Sequence, residues 1–225
     1  MIGTIVNAGA IILGSTIGIL IHARLPQKIS TIVFQGIGLF TLSLGISMAI
    51  KTNNFLIMIF SIVLGSIIGE ILNIEALIDN LSHRLKRLVK SEDDRFTEGL
   101  LTSFLLFCMG SMTILGAIEE GLGNPPNLLL AKSLLDGFSS IALAASLGVG
   151  VAFSVVPLLL YQGGLTLFAG YLQNFFSTPI ITELSATGGL LLIGLGISLL
   201  EIKKLKTINM LPSLIIVVIL SYYFL

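Results

Sequence analysis

Lys132 and Asp136 stand four residues apart in Leu128-Leu129-Leu130-Ala131-Lys132-Ser133-Leu134-Leu135-Asp136-Gly137, a stretch inside a run otherwise apolar and long enough to cross a bilayer. An ionised side chain at mid-membrane costs roughly 3 kcal/mol on insertion scales, so such a residue needs a partner or a task. Positions i and i+4 share a helix face, which lets the two side chains meet. Their order is the reverse of the one that supports a helix, where the acid precedes the base and lysine favours the C-terminal end. Two readings follow. The pair is a structural tie between helices, or it is the polar centre of a path for an ion or small polar solute.

Other polar groups fall within the apolar runs in a way that fits the second reading. Asn7 lies early in the first, Ser111 and Thr113 in the fourth, and Ser139, Ser140, Ser146, Ser154 and Gln162 follow Asp136. Asp136 is about nine residues into its run, roughly 14 Å deep at 1.5 Å per residue, which is close to the midplane. Glu119 and Glu120 form an acidic mouth before that run, within pairing reach of Lys132. Serines in membrane helices commonly bond their own backbone, so the serines are weaker candidates than Asp136.

Catalytic chemistry has little support. Aspartyl proteolysis needs two carboxylates sharing a proton, and Asp136 is the one acid this deep. Ser133 and Lys132 are adjacent and point to different sides of a helix, a poor geometry for a Ser–Lys dyad. No phosphate loop or metal-ligand spacing occurs, and His22 and His83 form no metal signature. The single cysteine, Cys108, excludes an internal disulfide. The expectation is a protein that is not an enzyme and uses no metal or cofactor.

These residues need helices in a membrane to hold them. The 225 residues are 55 % hydrophobic and only 11 % charged, against about 25 % charged in an average protein. Their mean hydropathy is +1.04. A span needs about 20 apolar residues, and the chain offers 2–22, 31–50, 55–72, 97–118, 184–202 and 208–225. The fifty residues of 127–176 are too long for one crossing and divide near Gly148-Val149-Gly150, giving eight spans in all. The first is read as a retained span, because it lacks a basic leader and a small-residue cleavage site. Gly14–Gly18 and Gly65–Gly69 carry the spacing that lets helix backbones approach closely, within the subunit or in a homo-oligomer. Ile74, Leu77, Ile78, Leu81, Leu85 and Leu88 predict a basic amphipathic surface helix over 74–90, followed by a charged turn to Arg95. So short a basic run gives no reason to expect nucleic acid as a partner. The fold class is therefore all-α: one polytopic helical bundle over 1–225.

Basic residues orient it. With the N-terminus outside, Arg24, Lys28, Arg84, Lys86, Arg87, Lys90, Arg95, Lys203, Lys204 and Lys206 all fall inside, against Lys51 outside. One span plus a re-entrant loop in 127–176 would give seven crossings and a ratio of seven to four, so the positive-inside rule favours eight with both termini outside. Residues 35–49 and 186–200 share six identities, with Gly38-Leu39 and Leu44-Gly45-Ile46-Ser47 matching Gly189-Leu190 and Leu195-Gly196-Ile197-Ser198. Lys51-Thr52-Asn53-Asn54 is echoed by Lys206-Thr207-Ile208-Asn209. In eight spans these copies cross in opposite directions, the pattern of an inverted repeat in secondary transporters.

Thr4-Ile5-Val6-Asn7, Gly14 to Gly18, Phe107-Cys108-Met109-Gly110-Ser111-Met112, Lys132 to Gly137, Tyr161-Gln162-Gly163 and Asn209-Met210-Leu211-Pro212 together span the chain. In these segments and their order it resembles the YdfK/YqgA-like family of bacterial integral membrane proteins of unknown function. The resemblance implies a polytopic helical fold in a bacterial plasma membrane, and it implies no activity or site residue. The expected function is transport or channelling of a small ion or polar solute. The competing expectation is a membrane scaffold or sensor without transport, with 74–90 as its docking element. Protons, small cations, amino acids and zwitterions fit the neutral pair equally.

Overall fold

The computed structural model describes residues 1–22, 27–77, 80, 95–108, 110–172 and 175–225. Among the described residues the elements are helical, with no strand. In chain order they are α1 (Ile2–His22), α2 (Gln27–Ala49), α3 (Phe55–Leu72), α4 (Phe96–Cys108), α5 (Ser111–Gly121), α6 (Asn127–Leu147), α7 (Gly150–Phe153), α8 (Val155–Leu167), α9 (Ala169–Leu172) and α10 (Thr178–Leu199). A 3₁₀ turn (Thr207–Met210) then leads into α11 (Ser213–Phe224). Among the described residues six stretches are long and apolar enough to cross a membrane, namely α1, α3, α6, α7 with α8, α10, and the 3₁₀ turn with α11, or seven if α4 and α5 form one broken span. Large apolar side chains such as Leu13, Ile71, Phe138 and Leu160 are exposed on them, as expected of faces made for lipid rather than water. Most of the predicted surface helix, with the basic residues Arg84, Lys86, Arg87 and Lys90, lies outside the described residues, as do Arg24, Ile78, Asp79 and the turn at 91–94.

The chain folds as two compact units, residues 1–37 with 93–175 and residues 38–92 with 176–225. In the first, α1 and α6 run parallel and touch along their length. A Cβ at Gly3 would lie 2.7 Å from Leu129, at Gly14 2.1 Å from Ser140 Oγ, and at Gly18 2.4 Å from the Ile141 carbonyl. Both residues of the Gly14–Gly18 pair therefore face a helix within the subunit, and only glycine admits that approach.

The break in 127–176 falls where expected. Gly148 has φ +70° and ends α6, and α7 starts two residues later. The α7–α8 junction at Ser154 is the consequence of Pro157, whose ring excludes the carbonyl four residues back and whose nitrogen donates nothing. The fourth predicted span, 97–118, needs correction. It is two helices bent by 61°, because Gly110 is extended at φ −76°, ψ 143°. Thr113 Oγ1 donates to the Phe107 carbonyl at 2.8 Å, taking up an acceptor that the broken ladder frees.

In the second unit, the two copies of the predicted repeat pack on one another antiparallel. Glycine Cβ positions show the register: Gly38 meets Leu200, Gly45 meets Ile193 and the Gly189 carbonyl, Gly196 meets Leu42, and Gly189 meets Ala49. Setting Gly38 on Gly189 exchanges the first of these contacts with the last, and the Gly45–Ile193 contact with Gly196–Leu42. Helix α3 packs antiparallel on α11 and the preceding turn, with Gly65 against Ser213 and Gly69 against the Asn209 carbonyl.

Candidate functional site

Helix α6 presents Lys132, Ser133, Asp136 and Ser140 on its buried side. Asp136 is the tenth of its 21 residues, so the carboxylate sits at mid-helix. Lys132 Nζ pairs with Asp136 Oδ2, and both residues are buried, with 5 % and 6 % of their surface exposed. The expected pair forms. Ser133 donates to the Leu129 carbonyl of its own helix, and Ser140 likewise to Gly137.

The parallel register of α1 brings Asn7 to the same level. Asn7 Nδ2 donates to Asp136 Oδ2 at 3.0 Å and to Gln162 Oε1 at 3.2 Å. Two acceptors around one amide end fix its orientation, because the flipped amide would set oxygen against a carboxylate. Asn7 Oδ1 then has no partner among the described residues, though Asn7 is fully buried. Gln162, also fully buried on α8, passes the chain on. Its Nε2 donates to Thr4 Oγ1 at 3.1 Å. Thr4 Oγ1 lies 3.5 Å from both Glu120 Oε2 and Thr166 Oγ1. A continuous set of polar contacts thus runs from the pair at the centre of α6 to the end of α5 and the start of α1.

Glu120 differs from its expected role. Its carboxylate faces the α-amino group of Met1 at 3.0 Å and the backbone N–H of Gly3 at 2.7 Å. It satisfies a donor at the N-terminus of α1, where the helix dipole favours an anion. Lys132 pairs with Asp136 and not with this acid. Glu119 is half-buried beside it, and its carbonyl accepts from Asn124. Ser111 opens α5 at the helix break. The break itself is next to the pair: the Phe107 ring centroid is 5.8 Å from Lys132 Nζ. Cys108, the last residue of α4, is fully buried. The structure therefore collects Asp136, Lys132, Asn7, Gln162 and Glu120. It adds Thr4 and Thr166, which the sequence alone did not single out because a lone threonine in an apolar run usually bonds its own helix.

Glu183 is the acid that sequence reading left outside a span. It lies in the second unit, fully buried on α10. Thr52 Oγ1 donates to its Oε2 at 2.5 Å, and the backbone N–H groups of Asn53 and Asn54 donate to Oε1 at 2.7 and 3.1 Å. With Asn54 capping α3 through Ile57 N, the carboxylate closes the α2–α3 turn. Pro179 at the first turn of α10 was the available signal, since proline favours a helix start and would have set the helix to begin before Glu183.

Among the described residues no group of three or more His, Cys, Asp or Glu could hold a metal ion. What the first unit offers is a buried carboxylate balanced by an ammonium and extended by amides and hydroxyls to a second carboxylate, Glu120, an arrangement suited to replacing the hydration of a small polar guest.

Comparison with known proteins bears on the whole chain. Residues 2–222 match the family model described as a protein of unknown function, DUF554. The chain is similar to the uncharacterized membrane protein YdfK of Bacillus subtilis (strain 168), with 36 % identity over 220 residues covering 96 % of this chain and 93 % of the relative. It is also similar to the uncharacterized protein YqgA of Escherichia coli (strain K12), with 33 % identity over 226 residues covering 98 % and 96 %. No solved structure matches. A family model over nearly the full length, two relatives of matching extent and a bundle of lipid-facing helices lead to one assignment: the chain is a membrane protein of the DUF554 family.

Proposed function

We propose that this protein moves a small ion or polar solute across a bacterial plasma membrane, through the first unit, with Lys132–Asp136 as the polar centre. The observation that carries the reading is the placement of that pair. It is buried at mid-helix, joined to α1 and α8 through Asn7 and Gln162, and set beside the break between α4 and α5. Broken helices beside intramembrane charges supply carbonyl and N–H groups that take the place of water around a guest. A purely structural tie would require neither the break nor the row of amides and hydroxyls leading to Glu120.

The same reading takes the chain as eight spans with both termini outside. The antiparallel packing of α2 on α10 and of α3 on α11 supports an even number of crossings between the members of each pair, four with eight spans against three with seven. The exchangeable contacts around Gly38, Gly45, Gly189 and Gly196 support an inverted repeat in the second unit. The protein acts without catalysis, and its partners are the bilayer and the solute; the Gly14–Gly18 and Gly65–Gly69 faces, expected to serve either the subunit or a homo-oligomer, pack within the subunit.

The test is flux in proteoliposomes with a panel of small cations, amino acids and other zwitterions. Wild type should move at least one solute. Asp136→Asn and Lys132→Met/Asp136→Leu should both reach the membrane and both lose that flux. Full flux in the apolar double variant would leave the pair with a structural role, and no flux of any solute in wild type would favour a scaffold.

A further inference from the structure

The polar row of the first unit has an unanswered acceptor beside the charged pair. Asn7 spends its amide donors on Asp136 Oδ2 and Gln162 Oε1. Its Oδ1 has no partner among the described residues, in a side chain with no exposed surface. Covalent geometry keeps that oxygen within about 5.6 Å of Asp136 Oδ2. A buried carbonyl that accepts nothing is costly to keep. The other end of the row is answered: Gln162 Nε2 donates to Thr4, and Glu120 meets the Met1 amino group and Gly3 N. The centre of the row therefore calls for a donor next to Asp136.

Charge narrows what can bring that donor. Lys132 balances Asp136 and the Met1 ammonium balances Glu120, so each acid of the row already has its cation. Met109, at the break beside Phe107 and Cys108, carries no charge by its type. The charged residues at 79–94 join α4 at its Phe96 end, eleven residues and about 16 Å along the helix from Phe107. A proton or metal cation entering alone would leave one buried charge unbalanced, and so would an anion. The row is also a poor proton relay. Two carboxamides in series, Asn7 and Gln162, stand between Asp136 and Glu120, and a carboxamide keeps its N–H hydrogens. A guest that carries both an ammonium and a carboxylate leaves the charge balance as it was.

We propose, resting on the reading of this site as a solute path, that its guest is an amino acid in zwitterionic form. The guest's ammonium lies between Asp136 and Asn7 Oδ1, two acceptors that one cation bridges with hydrogen bonds of about 2.8 Å. Its carboxylate takes Lys132, whose flexible stem lets Nζ swing away from Asp136. One buried ion pair is exchanged for two, and every charge keeps a partner. An uncharged polar solute answers Asn7 but leaves the Lys132–Asp136 pair closed and unused. A quaternary ammonium has no N–H to give the Asn7 carbonyl, so it is the weaker zwitterion.

The experiment is a thermal-shift titration of the full chain in detergent with each of the twenty amino acids at neutral pH. The tightest ligand is then compared with its N,N,N-trimethyl analogue, the amine lacking its carboxylate and the acid lacking its amine. Wild type should bind at least one amino acid, at least tenfold more tightly than each analogue and than sodium or potassium ion. Asn7→Leu, which keeps the branched shape without the carbonyl, should bind it at least tenfold more weakly and lose the preference over the trimethyl analogue. If that variant does not fold, the wild-type series decides alone. No shift with any amino acid, or equal binding of the amine or the trimethyl analogue, would overturn the proposal. Binding is read here without flux. An amino acid that binds in this pattern but is not moved in proteoliposomes sustains the inference and ends the transport reading, whereas flux and binding of a metal cation alone do the reverse.

Discussion

The two units place their polar groups at opposite positions on their helices. In the first, the charged pair and its amide partners sit at mid-helix, where Lys132, Asp136, Asn7 and Gln162 satisfy one another and lean on a broken span. In the second, the acids work at helix ends. Glu183 takes the turn before α3, and Glu70 takes the turn before α11. A polar group at a helix end meets donors that the helix leaves free in any case. A polar group at mid-helix meets a complete backbone ladder and must find its partners on other helices. The second arrangement adds stability at modest cost, whereas the first ties three helices together through one buried polar cluster.

This contrast can be broken at several points. The largest effect is expected from Asp136→Asn, which strands a buried ammonium and should cost about 3–5 kcal/mol. Thermal unfolding in detergent would show it, and the apolar double variant Lys132→Met/Asp136→Leu should recover most of that loss. A small effect of Asp136→Asn would mean that the centre of the first unit is wetter than its burial implies. Next come the close helix contacts. Leucine at Gly14 or Gly69 sets a Cβ 2.1 Å from Ser140 Oγ or 1.8 Å from the Asn209 carbonyl, an overpacking of about 1–3 kcal/mol or more where backbone must yield. Leucine at Gly164, whose Cβ would meet nothing within 4 Å, should melt like wild type.

Glu183→Gln comes third. It weakens charge-assisted bonds to Thr52, Asn53 and Asn54, for a loss of about 1.5–3 kcal/mol and no change in solute flux. A flux defect there, with wild-type melting, would end the division of labour between the units. The smallest effect concerns pH. Glu70 raises the Lys206 pKa, so its contribution to stability is present below the ordinary lysine value of about 10.5 and is lost as pH rises through the higher folded value. Both groups are solvent-exposed, so the slope should be shallow, and Lys206→Met should flatten it.

Much of this was determined by the sequence itself. Apolar runs of span length required membrane helices, because a bilayer leaves no other way to satisfy the backbone. The i, i+4 spacing placed Lys132 beside Asp136, Gly148-Val149-Gly150 marked a chain reversal, and the small-residue spacings marked close contacts. All of these follow from local geometry or from the solvent. The partners of those residues were a different matter. Only the tertiary structure decided that α1 runs parallel to α6, which puts Asn7 on Asp136, and that α8 supplies Gln162. It also gave Glu120 to the start of α1 rather than to Lys132, and divided the fourth span at Gly110, whose extended backbone a run of apolar residues does not reveal. Glu183 reached a turn some 130 residues earlier in the chain. Such pairings depend on which helices become neighbours and in what register, and a hydrogen bond between distant residues has no local signature for periodicity or propensity to record.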